Sequence, residues 1–166
     1  KVNQAKKAIN KINKKIKIIK YKKKLTSKNI KKILNKFDII CDGTDNYNTR
    51  YLINDYCLKN KKILISSAIN NFDGQLFKFD FRNKTPCFRC FMPEIPDEEI
   101  NCGSTGVMTT LAGIAGSLQA NEVIKSILNI KNKKNENIMV FNSLSSNFRM
   151  VRLLKNPNCK NNYLHG

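Results

Sequence analysis

Phe37-Asp38-Ile39-Ile40-Cys41-Asp42-Gly43-Thr44-Asp45-Asn46 is a short apolar run that breaks into a polar turn. Its first five residues suit a buried strand, and the Asp/Gly/Thr/Asn cluster suits the turn after it. Working outward, a helix is predicted next, with Leu52, Ile53, Tyr56 and Cys57 on one face. Lys61-Lys62 then leads into a second apolar strand, Ile63 to Ile69. Upstream, Val2, Ala5, Ile9, Ile12 and Ile16 recur at steps of three and four, one apolar helical stripe with lysines on the other faces. Ile16 to Tyr21 reads as a short strand, and Thr26 or Ser27 can cap a second helix carrying Ile30, Ile33, Leu34 and Phe37. Residues 1–69 thus alternate helix and strand, the pattern of a parallel sheet with crossover helices.

The pattern changes after residue 70. Gln75 to Phe81 alternates at period two, as an antiparallel or edge strand does. Thr85 to Thr105 is a Pro- and Cys-containing loop, and Val107 to Leu128 is a long helix rich in small residues. Lys131 to Asn137 is a polar connector, and Ile138 to Leu144 with Phe148 to Leu154 form a predicted closing hairpin. The 166 residues are expected to make one α/β domain: a crossover half over 1–69, then a mixed sheet with the Cys loop and long helix over 70–166.

The net charge is +19, and residues 1–36 hold fifteen Lys and no Asp or Glu. Such a segment can bind nucleic acid or an acidic protein. Only Tyr21 interrupts the lysines as a stacking aromatic, and Lys, Asn and Ile are abundant throughout, so compositional drift is preferred over a nucleic-acid role. No apolar run is long enough to span a membrane. No leader pattern is present, and the six cysteines are expected to be thiols or metal ligands in a reducing, cytoplasmic setting.

Several residues could carry chemistry. Asp45 and Asn46 follow a strand C-terminus, where ligands bind in open α/β sheets; alternatively Asp45 caps the next helix. Asp42 is read as part of the turn. Arg50, one helical turn on, either orients Asp45 or merely caps or solubilises the helix. Cys87 and Cys90 form a C-x-x-C that can grip one metal ion with two thiolates. Cys102 precedes a predicted helix, where a thiol pKa can fall, though a small loop residue is the simpler reading. Cys41 and Cys57 are expected in the core, and Gly113, Ala115 and Gly116 are expected to permit close helix packing.

Six segments in order carry a resemblance: Cys41 to Asn46 with Thr49-Arg50, Gly74-Gln75, Cys87-Phe-Arg-Cys90, Asn101-Cys102 to Gly106-Val107, Gly116 to Glu122, and Asn156-Pro-Asn-Cys159. Together they resemble the ThiF/MoeB/HesA adenylyltransferases, relatives of the ubiquitin-activating enzymes. The resemblance implies a Rossmann-like, doubly wound and mostly parallel sheet with antiparallel C-terminal strands. It implies ATP and Mg2+ as ligands, with Asp45 and Asn46 contacting them and Lys1 matching an ATP-contacting lysine. The implied reaction is adenylation of the C-terminal Gly of a ubiquitin-like sulfur-carrier protein, in thiamine, molybdopterin or tRNA-thiolation chemistry. A homodimer is a further family expectation.

Two departures qualify it. No G-x-G-x-x-G occurs in the chain, so the amide cradle that would hold phosphates at a helix N-terminus is missing and the chain reads as N-terminally truncated. The alternative is therefore a partner-dependent or inactive carrier-binding fragment. The family completes a Zn2+ site with a second C-x-x-C. Here Cys159 joins Cys87 and Cys90, Asn162 stands at the fourth position, and His165, the single His, is a candidate replacement at unusual spacing. In some relatives a cysteine at the Cys102 position reacts covalently with the carrier or in sulfur transfer.

Overall fold

The computed structural model describes residues 1–95, 106–130 and 136–165. The helices are α1 (Val2–Ile12), α2 (Ile30–Leu34), α3 (Tyr47–Lys59), α4 (Phe88–Phe91) and α5 (Thr109–Ile127). The strands are β1 (Ile39–Asp42), β2 (Ile63–Asn70), β3 (Asp73–Asp80), β4 (Ile138–Asn142) and β5 (Asn147–Val151), forming one sheet in that order. β1 and β2 run parallel, with Ile39 opposite Ile63, and α3 is the crossover between them. The remaining three pairings are antiparallel. This is the mixed α/β sheet that the alternation before residue 70 and the period-two run after it predict.

Strand alternation sorts the core onto two faces. Phe77, Phe79 and Phe81 point one way, into a cluster with Tyr51 and Cys57 of α3, Phe88 of α4 and Ile138. Ile63, Ile65 and Leu76 point the other way, against Leu118 and Val123 of α5. Gly74 has a packing reason: a Cβ there would lie 2.1 Å from the Phe141 ring. That ring is fully buried against Leu111 and Ala115, so any side chain at 74 must expel it.

Several expectations are corrected. Ile16–Tyr21 forms no strand; it is irregular, with Ile16, Ile19 and Tyr21 exposed, because no neighbouring strand satisfies its backbone. The helix expected from Thr26 or Ser27 begins at Ile30 with Asn29 at its N-cap, since residues 26–29 close a turn first. Cys57 is fully buried as expected, but Cys41 is exposed. Among the described residues Gly113 and Gly116 have no close neighbour to pack against, and of the three only Ala115 is buried. Among the described residues no helix is long and apolar enough to cross a membrane.

Candidate functional site

The C-terminal end of β1 is built around a buried carboxylate. Asp42 is 1% exposed and is the last strand residue, not a turn residue. Oδ1 accepts from the backbone N–H of Thr44 (2.9 Å) and from its hydroxyl (2.7 Å), and Oδ2 accepts from Ser66 (2.7 Å). Arg50 Nε lies 3.5 Å from Oδ2. A carboxylate this deep is tolerable only with such partners.

Arg50 does not solubilise α3; it is 6% exposed and turns inward. Nη2 donates to the carbonyls of Thr44 (2.7 Å) and Ser67 (3.0 Å), so one guanidinium ties the turn to the middle of β2. Its charge stands over the Phe88 ring, 5.6 Å from the centroid. From α5, Gln119 Nε2 donates to the carbonyls of Asp42 and Ile65, both at 2.8 Å. The turn is therefore fixed from β2, α3 and α5 together.

Asp45 projects from this fixed turn. It is exposed, accepts a 3.3 Å hydrogen bond from Asn46 Nδ2, and has no ion pair among the described residues. It does not cap α3. That role belongs to Asn46, whose Oδ1 accepts from Thr49 N–H at 2.9 Å. Asn46 stays half-buried beside Asp45, so the structure brings these two expected residues together. Lys1 stands exposed at the N-cap of α1, and no hydrogen bond or ion pair among the described residues joins it to the turn. Cys102 lies outside the described residues.

In the core cluster that α3 also enters, Cys87, Cys90 and Cys159 converge with His165. All four are buried, and one ligand atom from each lies within 4.8 Å of the others. Cys87 Sγ and Cys159 Sγ are 3.8 Å apart, and Cys90 Sγ is 3.4 Å from His165 Nε2. Tetrahedral zinc with Zn–S bonds of about 2.3 Å places ligand atoms about 3.5–3.8 Å apart, so the donor set and its spacing fit that ion. His165 Nδ1 contacts the Thr85 carbonyl at 3.0 Å, which leaves Nε2 toward the thiols. The hydrogen bond between Cys87 and Cys90 holds the Cys90 thiol well below its usual range, and that bond together with burial raises Cys87. Asn162 is exposed and is no ligand. The chain instead reaches three residues further, through a short 3-10 turn at Asn162–Leu164, to bring His165 in.

The surroundings of this cluster were not apparent in the sequence. Asn54 of α3 is fully buried and accepts the Phe88 N–H at 2.8 Å. Asp55 takes a two-pronged contact from Arg89 and a 2.7 Å bond from Asn161 Nδ2. Arg89 also stacks over Tyr51 at 4.3 Å. The one available signal was polar residues (Arg50, Asn54) at helical spacing on a face that also carries Tyr51 and Leu58. The same signal marks Gln119 and Glu122 on the inner face of α5.

A domain of the Rossmann type with an acidic turn at the end of the parallel strand pair and a separate thiol cluster is the class these features define. The chain belongs to the ThiF family, whose model matches residues 1–161. It is 38% identical over 155 residues to the adenylyltransferase and sulfurtransferase MOCS3 of Aedes aegypti, covering 92% of this chain and 35% of that protein. It is 38% identical over 157 residues to a probable molybdopterin-synthase adenylyltransferase of Pyropia yezoensis, covering 93% of this chain and 41% of that one. In fold it is similar to Escherichia coli MccB crystallised with ATP, with a TM-score of 0.77 at 18% identity, covering 98% of this chain and 51% of MccB. The chain thus spans well under half the length of those curated relatives.

Proposed function

We propose that this chain contributes the Mg2+-binding and carrier-facing part of an ATP-dependent adenylyltransferase acting on the C-terminal Gly of a ubiquitin-like sulfur carrier. The observation that carries the reading is the exposed Asp45 carboxylate, held at the C-terminal edge of the parallel pair by a buried network. Adenylation joins the carrier's carboxylate to the α-phosphate and expels pyrophosphate. A magnesium ion, when bound, would neutralise the charge gathering on those phosphates. Asp45 offers an accessible hard oxygen ligand, and Asn46 stands beside it with its own oxygen committed to α3. Arg50 and Asp42 keep the turn rigid, so little reorganisation is needed when charge develops.

The names of the relatives support the reaction class and a carrier partner, and MccB with ATP supports the nucleotide. The chain contains no Gly-rich turn, so its own residues give phosphates no amide cradle. This favours a second reading, a carrier-binding portion that adenylates only when another segment or subunit completes the site. Cys87, Cys90, Cys159 and His165 would hold a structural zinc ion, and its four-coordinate closure leaves no open position for catalysis.

The test joins the 166 residues behind the Gly-rich half of a ThiF-family relative and measures pyrophosphate exchange into ATP with a carrier ending in Gly-Gly. Exchange is expected, and Asp45→Ala should lower it at least about 100-fold while circular dichroism is unchanged. Undiminished exchange in Asp45→Ala removes the assigned role. Tight ATP binding by the 166 residues alone removes the claim that the cradle lies elsewhere.

A further inference from the structure

The two candidate centres share one helix. α3 begins at the Asp45 turn, where Asn46 caps it, and its inner face carries Arg50, Tyr51 and Asn54. Each of these reaches the C-x-x-C segment. Asn54 receives the Phe88 N–H, the Tyr51 hydroxyl is 2.7 Å from the Met92 carbonyl, and Arg50 stands over the Phe88 ring. Phe88 sits directly between the candidate ligands Cys87 and Cys90, is 2% exposed, and is boxed by Tyr51 and Phe77 rings at 5.4 and 5.3 Å. It cannot shift without moving what stands on it.

Arg50 is where that packing meets the turn. Its Nη2 is the donor to the Thr44 carbonyl, one residue before Asp45, and to the carbonyl of Ser67 in the middle of β2. Its Nε is buried without a hydrogen bond among the described residues, so this guanidinium is placed by its Nη2 hydrogen bonds, the Asp42 charge and the aromatic floor. Floor and turn then meet at one guanidinium.

We propose that Arg50 is a positioning residue that couples the cysteine–histidine centre to the Asp45 turn: filling the centre fixes Phe88, Phe88 fixes the guanidinium, and the guanidinium holds Thr44 and Asp45 in place. This rests on the zinc and nucleotide-turn readings above and adds that the two are linked. The coupling is a packing effect, with no bond made or broken. Lysine does not reproduce Arg50, because a compact ammonium has no planar group to stand over the Phe88 ring while its charge also reaches Asp42 and the two carbonyls.

The Thr44 amide, bonded to Asp42, is a built-in reporter of the turn. Hydrogen exchange by mass spectrometry on the 166-residue chain, zinc-loaded and chelated, reads residues 43–46 against residues 63–80 as a fold control. Zinc is counted in parallel by native mass spectrometry. Zinc should slow exchange at 43–46 by about tenfold or more. Arg50→Lys should bind the same single zinc and keep the control protection, yet reduce that slowing to below about twofold. Phe88→Leu keeps every ligand and the arginine, and should show the same uncoupling, so the test survives if Arg50→Lys fails to fold. Zinc uptake with no response at 43–46, or full zinc-dependent protection in both variants, overturns the coupling alone. No zinc uptake by the wild-type chain overturns the metal reading and the coupling with it. Failure of Asp45→Ala to affect pyrophosphate exchange leaves this readout unaffected.

Discussion

Helices α1 and α3 differ in a way their sequences conceal. In α1, Val2, Ala5, Ile9 and Ile12 make a clean apolar stripe opposite the lysines, yet no residue of the helix is buried and Ile12 is 87% exposed. In α3 the stripe is interrupted by Arg50, Asn54 and Asp55, yet six residues are buried, Arg50 and Asn54 among them. A stripe states only that a helix can be buried on one side. Whether it is buried depends on a surface to receive it, and for α3 that surface is β1, β2 and the cysteine lobe. The polar interruptions of α3 are its connections to the two candidate centres.

The comparison can be broken at its strongest point first. If α3 is held by a closed metal centre, Cys159→Ala should weaken zinc binding by more than about 100-fold, beyond the loss typical of groups that merely hydrogen-bond to ligands. Competition with a chromophoric chelator measures it, and wild-type affinity in the variant would dissolve the site. Asp42→Asn comes next. It leaves the Arg50 charge buried without its counter-charge and should cost about 3–5 kcal/mol in urea denaturation. A loss below about 1 kcal/mol would mean the turn is not held as described.

Asn54→Ala should cost about 2 kcal/mol, because the Phe88 N–H is left buried without an acceptor. Glu122 extends the comparison to α5, where burial works against its charge but hydrogen bonds from Lys125 and Lys78 outweigh it and hold the carboxyl below its ordinary value. With the folded value lowered, this contribution is complete above the unfolded carboxyl range and is lost as pH falls through the folded value. Glu122→Gln should therefore cost about 1–2 kcal/mol at neutral pH and little in acid; an equal cost at both would exclude the ion pair as the cause. The smallest effect belongs to α1. Ile9→Ser with Ile12→Ser should change stability by less than about 0.5 kcal/mol, as at an exposed surface, and a larger loss would show that α1 does pack against something.

Much of the sheet was legible from residue 37 onward. The run Phe37–Cys41, the strand from Ile63 and the alternation of Gln75–Phe81 each declare themselves, because buried strands need continuous apolar runs and half-buried ones need period two. Ile16–Tyr21 misled because no strand among the described residues pairs with it, just as no surface buries α1: a helix stripe needs a surface to be buried, and an apolar run becomes a strand only when a neighbour pairs its backbone. The C-x-x-C and the Asp45–Asn46 pair were also legible, as spacing and position after a strand are local properties.

The sequence by itself determined the order of elements from residue 37 onward, the family and the residue types available for chemistry. Only the tertiary structure decided where those residues stand and what they touch. It made Asn46 and not Asp45 the cap, and it turned Asp42 and Arg50 inward. It selected His165 over Asn162 as the fourth group of the thiol cluster. Those choices depend on atoms from β2, α3, α5 and the C-terminal turn meeting within a few ångströms across separations of up to 80 residues in the chain. Hydrogen bonds and metal geometry are short-ranged and directional, and no local pattern in a sequence encodes which distant groups will meet.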